Sequence, residues 1–427
     1  MAQGSPIYID SDFLKLWVGE SISVFGSQFS PIAIQYAAKI ILDAQPIQFG
    51  ILSALGTLSF LLFGIPVGLY ADSHRRKITM IYADVGRALI LLSIPVTALL
   101  GFLSMNLFYI VAFTTGVLTV FFEICYQSYL PSLVERSKLV VANSRLQTSA
   151  ATASASGPTV ATTLIQIISA PMVIIGDVIG YFSSAAFLSS ISKPEPPIAR
   201  RKDRSAWSDV KEGLSVVFRD SRLRSIAGCT AMSNLFTSAY GAVLIPYLLG
   251  LNVSILVLGP IFSIGAIGGI IGALVSLRLS NRLGIGRSIV VFAFLFSVFQ
   301  LPIYFATKDT VFLLLAPAFF GTSFGSVVYN VNQVSFRQSL VSTDLQGRMN
   351  ATMRTLVWGT LPVGGLLGGV LSQAMGYHTA VGIAVAGASL AFLWVVFSPV
   401  RGIKEMPTPP DHGSSDQRQQ TATAPGP

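Results

Sequence analysis

Charged side chains are scarce in this sequence of 427 residues, where Asp, Glu, Lys and Arg together account for 11%. Water-soluble domains carry about 25% charged residues, and 52% of this chain is hydrophobic. Apolar runs of about 20 residues, long enough to cross a hydrocarbon core about 30 Å thick, recur along it. The scarcity of charge therefore excludes a globular enzyme and predicts an integral membrane protein built only of α-helices.

The sequence also lacks the residues that several other protein classes need. Its two cysteines, Cys125 and Cys229, lie inside apolar runs, so we expect neither a disulfide framework nor a metal site. No phosphate-binding loop of the form G-x-x-x-x-G-K-[ST] is present, which argues against an ATP-driven pump, and we expect no cofactor. The polar N-terminus lacks the pattern of a removable signal peptide.

Glycine, proline and charged residues divide the apolar runs into about twelve spans, six on each side of a long polar segment. We predict a cytoplasmic N-terminus over 1–12, a six-helix bundle over 13–191, a linker over 192–224, a second six-helix bundle over 225–400 and a disordered tail over 401–427. An amphipathic helix is expected in the linker, either at the inner membrane surface or beneath the bundle. The predicted spans are 13–38, 47–71, 78–100, 107–130, 146–169, 171–191, 225–249, 253–278, 287–306, 309–336, 350–375 and 378–398.

Positive charge gathers on one side of these spans. The chain has 28 Lys and Arg residues and a net charge of +9, and nearly all of them fall in loops of the same side. Lys39 and Lys308 lie on the other side, and Arg87 lies within a span. Because positive loops mark the cytoplasmic side, we predict cytoplasmic termini in a cell membrane. The charge then reflects topology, and no nucleic-acid partner is expected.

The two halves of the chain resemble each other at a nearly constant offset. Asp72 corresponds to Asn281, 209 residues later, and Asn143 corresponds to Asn350, 207 residues later. The Pro158 position is matched 204 residues later by another proline. Such duplication is typical of membrane proteins built from two related bundles around a central cavity.

Six plus six spans, a basic central loop and the segment 68–77 (GLYADSHRRK) resemble the major facilitator superfamily over nearly the whole chain. The segments 122–134, 142–147 and 347–352 resemble its branch of macrolide-efflux and enterobactin-exporter-like drug–proton antiporters. Segment 68–77 departs from the family pattern at Ser73 and Arg75. The resemblance implies two pseudo-symmetric six-helix bundles that transport by alternating access.

Two motifs are candidates for gating. We expect Gly68 to allow close helix approach, and Asp72 to accept hydrogen bonds from a neighbouring helix N-terminus or an arginine, as a conformational latch. Gly157-Pro158 resembles the antiporter motif of exporters in this superfamily, where small residues and proline permit close contact and bending. Alternatively, the loop cations serve topology alone. The candidate gating residues are Gly68, Asp72, Arg75, Arg76, Gly157 and Pro158.

Ionisable groups at membrane depth are costly unless paired and are therefore functional candidates. Glu20, Asp84, Arg87 and Glu123 all lie about 10–13 Å from the cytoplasmic boundary at 1.5 Å per residue, so they could meet. We expect Arg87 to pair with Asp84 and to serve Glu123 across helices, leaving Glu20 less neutralised. The cluster is either a structural salt-bridge network or a proton-coupling site. Asp177, nearer the outer end, is expected to be a helix-packing acid.

Polar residues at helical spacing in the first and fourth spans predict a shared interior. The second bundle offers amide and aromatic groups, which suit a large and mostly apolar ligand, although core packing explains many of the aromatics equally well. The candidate cavity residues are Ser27, Gln35, Tyr126, Gln127, Asn234, Tyr329, Asn330, Gln333 and Trp358.

These features together predict a monomeric, proton-coupled exporter of an amphiphilic small molecule in the lipid bilayer. A macrolide-like antibiotic, another natural product or a siderophore are the expected substrates. One alternative is a proton-coupled importer of a nutrient or peptide. Another is a non-transporting membrane receptor or a lipid scramblase.

The topology can be tested by cysteine labelling. In intact cells, a membrane-impermeant maleimide is expected to label Thr307→Cys but neither Ser205→Cys nor Ser414→Cys, since positive loops mark the cytoplasmic side. Permeabilised cells provide the control, because all three variants should then react. Labelling of Ser205→Cys in intact cells would overturn the orientation.

Overall fold

Twelve helical spans, numbered in chain order, make up most of the protein. The computed structural model describes residues 10–195, 214–341 and 343–403, and no β-strand occurs within these ranges. The spans are 1 (Ser11–Gly26 and Phe29–Ile40), 2 (Pro46–Ser73), 3 (Arg76–Leu99), 4 (Met105–Leu133), 5 (Leu139–Ile168), 6 (Ala170–Ser189), 7 (Ser221–Gly250), 8 (Ile255–Leu283), 9 (Ile285–Val298 and Leu301–Phe305), 10 (Val311–Leu340), 11 (Thr343–Trp358 and Thr360–Met375) and 12 (Tyr377–Ser389 and Leu393–Val396).

Ten helices in the described ranges are long and apolar enough to cross a membrane. The other two spans have clear physical differences: span 1 is interrupted near Gln28, and span 5 is rich in Ser, Thr and Ala. Spans 5 and 11 begin about two turns earlier than predicted, because polar and charged residues in their first turns, among them Asn143 and Arg145 in span 5 and Asp344 and Arg348 in span 11, interrupt the apolar runs although they are helical. Most of the predicted linker helix and of the tail lies outside the described residues.

The two halves pack in the same pattern. In the first half, span 1 packs on span 6, span 6 on span 3, span 3 on span 4 and span 4 on span 2. The second half repeats each pair with six added to the span number. Between the halves, span 2 packs on span 11 and span 8 packs on span 5. These two contacts are equivalent, because spans 8 and 11 are the counterparts of spans 2 and 5. The prediction of two pseudo-symmetric six-helix bundles is confirmed.

Two equivalent turns carry the signature of the duplication. Ser169, between spans 5 and 6, has φ 80° and ψ 152°, and Gly376, between spans 11 and 12, has φ 82° and ψ 157°. The two residues are 207 positions apart, the offset that relates Asn143 to Asn350. Glycine adopts this conformation freely, whereas a residue with a Cβ atom is strained there by about 1–3 kcal/mol. Ser169 therefore keeps a backbone geometry that suits glycine better.

The halves meet backbone to backbone on one face of the protein. A Cβ atom on Gly50 of span 2 would lie 2.7 Å from the Cα atom of Gly369 in span 11. A Cβ atom on Gly259 of span 8 would lie 2.8 Å from the carbonyl oxygen of Pro158 and from the Cα atom of Thr159 in span 5. All these residues lie away from the basic face, defined here as the face that carries residues 75–77, 219–224 and 282–287, at the helix ends and their connections.

The apolar core has the same asymmetry. Its largest cluster lies towards the opposite face and joins both halves, with Ala37 and Phe49 from the first and Val243 and Ile255 from the second. Near the basic face the core separates into one cluster in each half. The halves are therefore joined on the opposite face and stand apart on the basic face.

The close contact at Gly50 leads to a stability prediction. Gly50→Ala should lower the melting temperature of the detergent-solubilised protein, because overpacking of this kind costs about 1–3 kcal/mol. Gly68→Ala in the same helix is the matched control, since no described atom lies within 4 Å of its Cβ position. A Gly→Ala change that suits the backbone stabilises by about 0.4–1 kcal/mol. Equal shifts for the two variants would show that the halves do not touch at Gly50.

Candidate functional site

A cavity of about 600 Å³ lies between the two halves near the basic face. The first half contributes Phe60, Glu123 and Gln127 to its wall, and the second half contributes residues of spans 7, 9, 10 and 11. Six of the residues that the sequence indicates as cavity residues line it. They are Gln127, Asn234, Tyr329, Asn330, Gln333 and Trp358.

Some of these polar groups already have partners within the protein. The Asn234 amide donates to the carbonyl oxygen of Val357 at 3.1 Å, and the Gln333 amide donates to the Asn330 side chain at 2.8 Å. The Gln333 carbonyl oxygen has no hydrogen-bond partner among the described residues. The wall from the second half is therefore partly committed to internal bonds and keeps a free acceptor at Gln333.

Two arginines in the cavity wall were missed by the sequence analysis, which assigned them to topology. Arg337 and Arg354 both line the cavity, and neither forms an ion pair with a residue of the described ranges. The Arg354 guanidinium lies over the Trp358 ring at 4.5 Å, and the buried Nε atom of Arg337 has no hydrogen-bond partner in the part of the chain that the structure describes. The sequence contained one signal for them, because the acids between residues 221 and 403, Asp309 and Asp344, lie only at the ends of spans.

Glu123 lies in the wall that the first half contributes, and it forms neither an ion pair nor a hydrogen bond with the described residues. The cavity therefore has a free carboxylate on one wall and guanidinium groups on the other. The two kinds of group belong to different halves of the protein, so relative movement of the halves would change the distance between them.

A second cavity, of about 420 Å³, lies towards the opposite face; the first half forms most of its wall, and Gly241 and Ala242 of span 7 complete it. It brings together the polar residues of spans 1 and 4, with Ser27 and Gln35 from one side and Thr115 and Thr119 from the other. The ring of Phe60 lines both cavities and packs edge-on against Trp358 of span 11, with ring centroids 5.5 Å apart. An aromatic pair therefore stands at the junction of the two cavities.

Tyr126 does not line either of these cavities, contrary to the prediction. Its ring stacks on Phe122, with centroids 5.9 Å apart, and packs against the apolar cluster of the first half near the basic face. Glu123 and Gln127 are four residues apart and share one side of span 4, and Tyr126 lies at the edge of that side with its ring stacked on Phe122. The aromatic side chain is thus part of the protein core.

Asp84 and Arg87 form an ion pair within span 3, as predicted. The guanidinium of Arg87 is also sandwiched by two rings, with centroids 4.4 Å away at Phe122 and 4.1 Å away at Tyr181. The expected ion pair between Arg87 and Glu123 is not formed, because the rings and Asp84 hold the guanidinium in the bundle interior. This pair is therefore buried and compensated, in contrast to Glu123.

Glu20 lies within electrostatic range of Asp84, Arg87 and Glu123. One of its carboxylate oxygens is buried and has no hydrogen-bond partner among the residues that the structure describes. The structure thus brings together the four charged residues that the sequence placed at one depth. Asp84 and Arg87 compensate each other, and neither glutamate has an ion-pair partner among the described residues.

The basic-face loop between spans 2 and 3 is held by a residue that the sequence analysis did not identify. The carboxylate oxygens of Glu195, which follows span 6, accept hydrogen bonds from the backbone N–H groups of Arg76 at 2.9 Å and Lys77 at 2.6 Å. The Arg76 guanidinium donates to the carbonyl oxygen of Ser128 at 3.1 Å. Asp72 was expected to bind a helix N-terminus, but its side chain lies outside the described part. At the N-terminus of span 3 it is Glu195 that accepts the backbone hydrogen bonds.

The remaining gating candidates differ in their surroundings. Gly68 was expected to allow close helix approach, but no described atom lies within 4 Å of its Cβ position, so that expectation was wrong. Arg75 caps span 3 and is exposed. A Cβ atom on Gly157 would lie 2.6 Å from the Cβ atom of Gln28, at the interruption of span 1, and Pro158 contacts span 8. Gly157-Pro158 therefore lies where spans 1, 5 and 8 converge.

Comparison with known proteins identifies the architecture. A bacterial homologue of the iron transporter ferroportin, in its inward-facing state, matches with TM-score 0.72 and 15% identity, covering 90% of this chain and 98% of that one. The nucleoside transporter NupG matches with TM-score 0.69 and 13% identity, covering 91% and 98%. A bacterial homologue of the human lysosomal transporter Spinster, inward-facing and unoccupied, matches with TM-score 0.66 and 12% identity, covering 92% and 96%.

At these identities the solved structures show a shared fold, and their substrates do not transfer to this chain. No curated protein matches the sequence. The family model described as Major Facilitator Superfamily matches residues 16–361, which is more than half of the chain. With this match and the two six-helix bundles around a cavity, the chain belongs to the major facilitator superfamily and is a transporter, not an enzyme.

Proposed function

We propose that this transporter is a proton-coupled exporter of an amphiphilic small molecule, with cytoplasmic termini in the cell membrane. The observation that carries the proposal is the free carboxylate of Glu123 in the cavity between the halves, opposite the guanidinium groups of Arg337 and Arg354. The cavity lies near the basic face, and positive loops are typical of the cytoplasmic side. A substrate would then enter from the cytoplasm or from the inner leaflet.

The cavity wall supports an amphiphilic substrate. A volume of about 600 Å³ lies within the range of about 300–1,000 Å³ that is usual for sites binding small molecules. Aromatic rings at Phe60 and Trp358 offer apolar contact, and Gln127 and Gln333 offer amide groups. The sequence resemblance to macrolide-efflux and enterobactin-exporter-like antiporters favours a macrolide-like antibiotic, another natural product or a siderophore.

Coupling would follow from a change of partner at Glu123. When the halves close on the basic face, the wall with Glu123 approaches the wall with Arg337 and Arg354, so the carboxylate gains a guanidinium partner. A proton on Glu123 removes that attraction and favours the open cavity. A free-energy difference of about 1–3 kcal/mol is sufficient for such coupling. Glu20 is the second candidate for the proton, while Asp84 and Arg87 tune the cluster.

The basic-face loop would act as the gate. In this proposal Asp72, Arg75 and Arg76 form a latch between neighbouring spans that stabilises the conformation closed on the basic face. Gly157-Pro158 would allow span 5 to bend as the halves move.

The direction of transport can be measured in energised everted membrane vesicles, whose cytoplasmic face is outermost. A panel of macrolides, other amphiphilic natural products and catechol siderophores should include a compound that causes proton release from the vesicles. Vesicles without the protein are the control. If the protein is an importer, no compound of the panel should cause proton release, and right-side-out vesicles should accumulate a nutrient instead.

Glu123→Gln is expected to retain substrate binding but to lose proton-driven accumulation by about 10-fold or more, because the amide cannot exchange a proton for a guanidinium. Downhill exchange should be partly kept. Glu135→Gln is the matched control, since Glu135 is exposed on the basic face and pairs only loosely with Lys138 at 3.5 Å. Full accumulation by Glu123→Gln would make Glu20 the sole candidate for the coupling proton. Proton-driven accumulation by a variant with both Glu20→Gln and Glu123→Gln would refute proton coupling at this cluster.

Asp72→Asn should reduce the transport rate by about 5-fold or more while leaving folding and membrane insertion intact, because it weakens a latch and removes no substrate contact. Glu195→Gln should act in the same direction, since it weakens the acceptor at the start of span 3. Transport rates are compared at equal abundance of folded protein, measured by size-exclusion chromatography. Wild-type transport rates for Asp72→Asn would contradict the latch and show that the charges of this loop determine only topology.

A further inference from the structure

The second cavity contains a buried carboxylate that the coupling mechanism does not use. Asp177 of span 6 lines this cavity and is only 2% exposed. One of its oxygens accepts a hydrogen bond from the Ser30 hydroxyl at 2.5 Å. The other oxygen is buried and has no hydrogen-bond partner among the described residues. A purely packing role would be expected to satisfy both oxygens, because an unpartnered buried polar atom is costly.

Two further acceptors in the same cavity also lack partners. They are the side-chain carbonyl oxygen of Gln35 in span 1 and the hydroxyl oxygen of Thr115 in span 4. The rest of the wall is largely apolar and includes Phe49, Leu52 and Leu91. The cavity therefore offers a carboxylate and neutral acceptors inside an apolar enclosure, a combination that matches a group rich in hydrogen-bond donors.

No cation from the described residues lines this cavity. The guanidinium nearest in the interior, that of Arg87, is paired with Asp84 and stacked over the Tyr181 ring. Tyr181 itself lines the cavity, whereas Arg87, which lies within electrostatic range of Asp177, does not. Among the described residues, Asp177 therefore has no ion-pair partner in this cavity.

We propose that the second cavity is the subsite for the cationic end of the substrate, an ammonium or similar organic cation, with Asp177 as its counter-ion. Gln35 and Thr115 accept hydrogen bonds from the ammonium group, and the rings of Phe60 and Tyr181 provide faces on which a cation is favoured. The apolar body of the ligand extends past Phe60 into the larger cavity. Calling this ligand the substrate rests on the proposed exporter function, whereas the subsite itself rests on the cavity.

The test measures binding of two fluorescent probes to the purified full-length protein. Rhodamine 6G is an amphiphilic cation, and Nile red is a neutral dye of comparable apolar character. Asp177→Asn should weaken rhodamine 6G binding by about 10-fold or more, since a hydrogen-bonded charged partner is lost, and should leave Nile red binding unchanged. Asp43→Asn is the matched control, because the Asp43 side chain is 89% exposed and its φ of 43° suits asparagine.

A gain-of-function variant keeps the proposal testable even if Asp177→Asn does not fold. Gln35→Glu adds a second carboxylate to the same cavity and should tighten rhodamine 6G binding several-fold without a matching change for Nile red. Unchanged cation binding in both variants, or equal weakening of both dyes in Asp177→Asn, would overturn the subsite and leave Asp177 as a packing residue.

The two proposals can fail separately. If wild-type protein does not bind rhodamine 6G but a neutral compound still causes proton release from everted vesicles, the cation subsite is refuted and the exporter stands. If no compound causes proton release while rhodamine 6G binding still depends on Asp177, the exporter function is refuted and the cation subsite stands.

Discussion

The backbone contact between the two halves on the face opposite the basic loops is the constraint on which the rest of the structure depends. Gly50 meets Gly369, and Gly259 meets the backbone at Pro158. Apolar surfaces gain little by associating in lipid, so close approach of small residues is what joins helices there. Because both contacts lie on one face, the halves in this conformation are separated on the other, and the larger cavity lies on that side.

Charged residues inside the protein differ in their pairing according to whether they lie in the packed interior or in a cavity wall. Where the bundle interior is dense, Asp84 and Arg87 compensate each other. Where the halves stand apart, Glu123 and Arg337 remain without ion pairs among the described residues, and they lie on opposite walls. A charge buried in a dry interior needs a fixed partner, whereas one in a cavity wall can change partner as the halves move. Asp177 is the exception, because it is buried and forms no ion pair with a described residue.

The sequence by itself determined the helices, their number and order, and the division into two related bundles. The physical reason is that an apolar segment of about 20 residues satisfies all its backbone groups within itself only as a helix, so hydropathy and turn residues are sufficient to locate the spans. The polar residues of spans 1 and 4 were also readable, because a polar side of a helix must face protein or water. Ser27 and Gln35 indeed line one cavity, and Gln127 lines the other.

Only the tertiary structure decided which residues meet. Arg337 had the sequence signature of a topology charge, and Glu195 lay in a polar linker without any motif, yet one lines the cavity and the other binds the start of span 3. Tyr126 was expected to line the cavity but packs against the core. Gly68 was expected at a close helix contact but faces open space. Partner choice depends on how each helix is rotated and where it crosses its neighbours. Packing between distant parts of the chain sets that geometry, and hydropathy along the chain does not encode it.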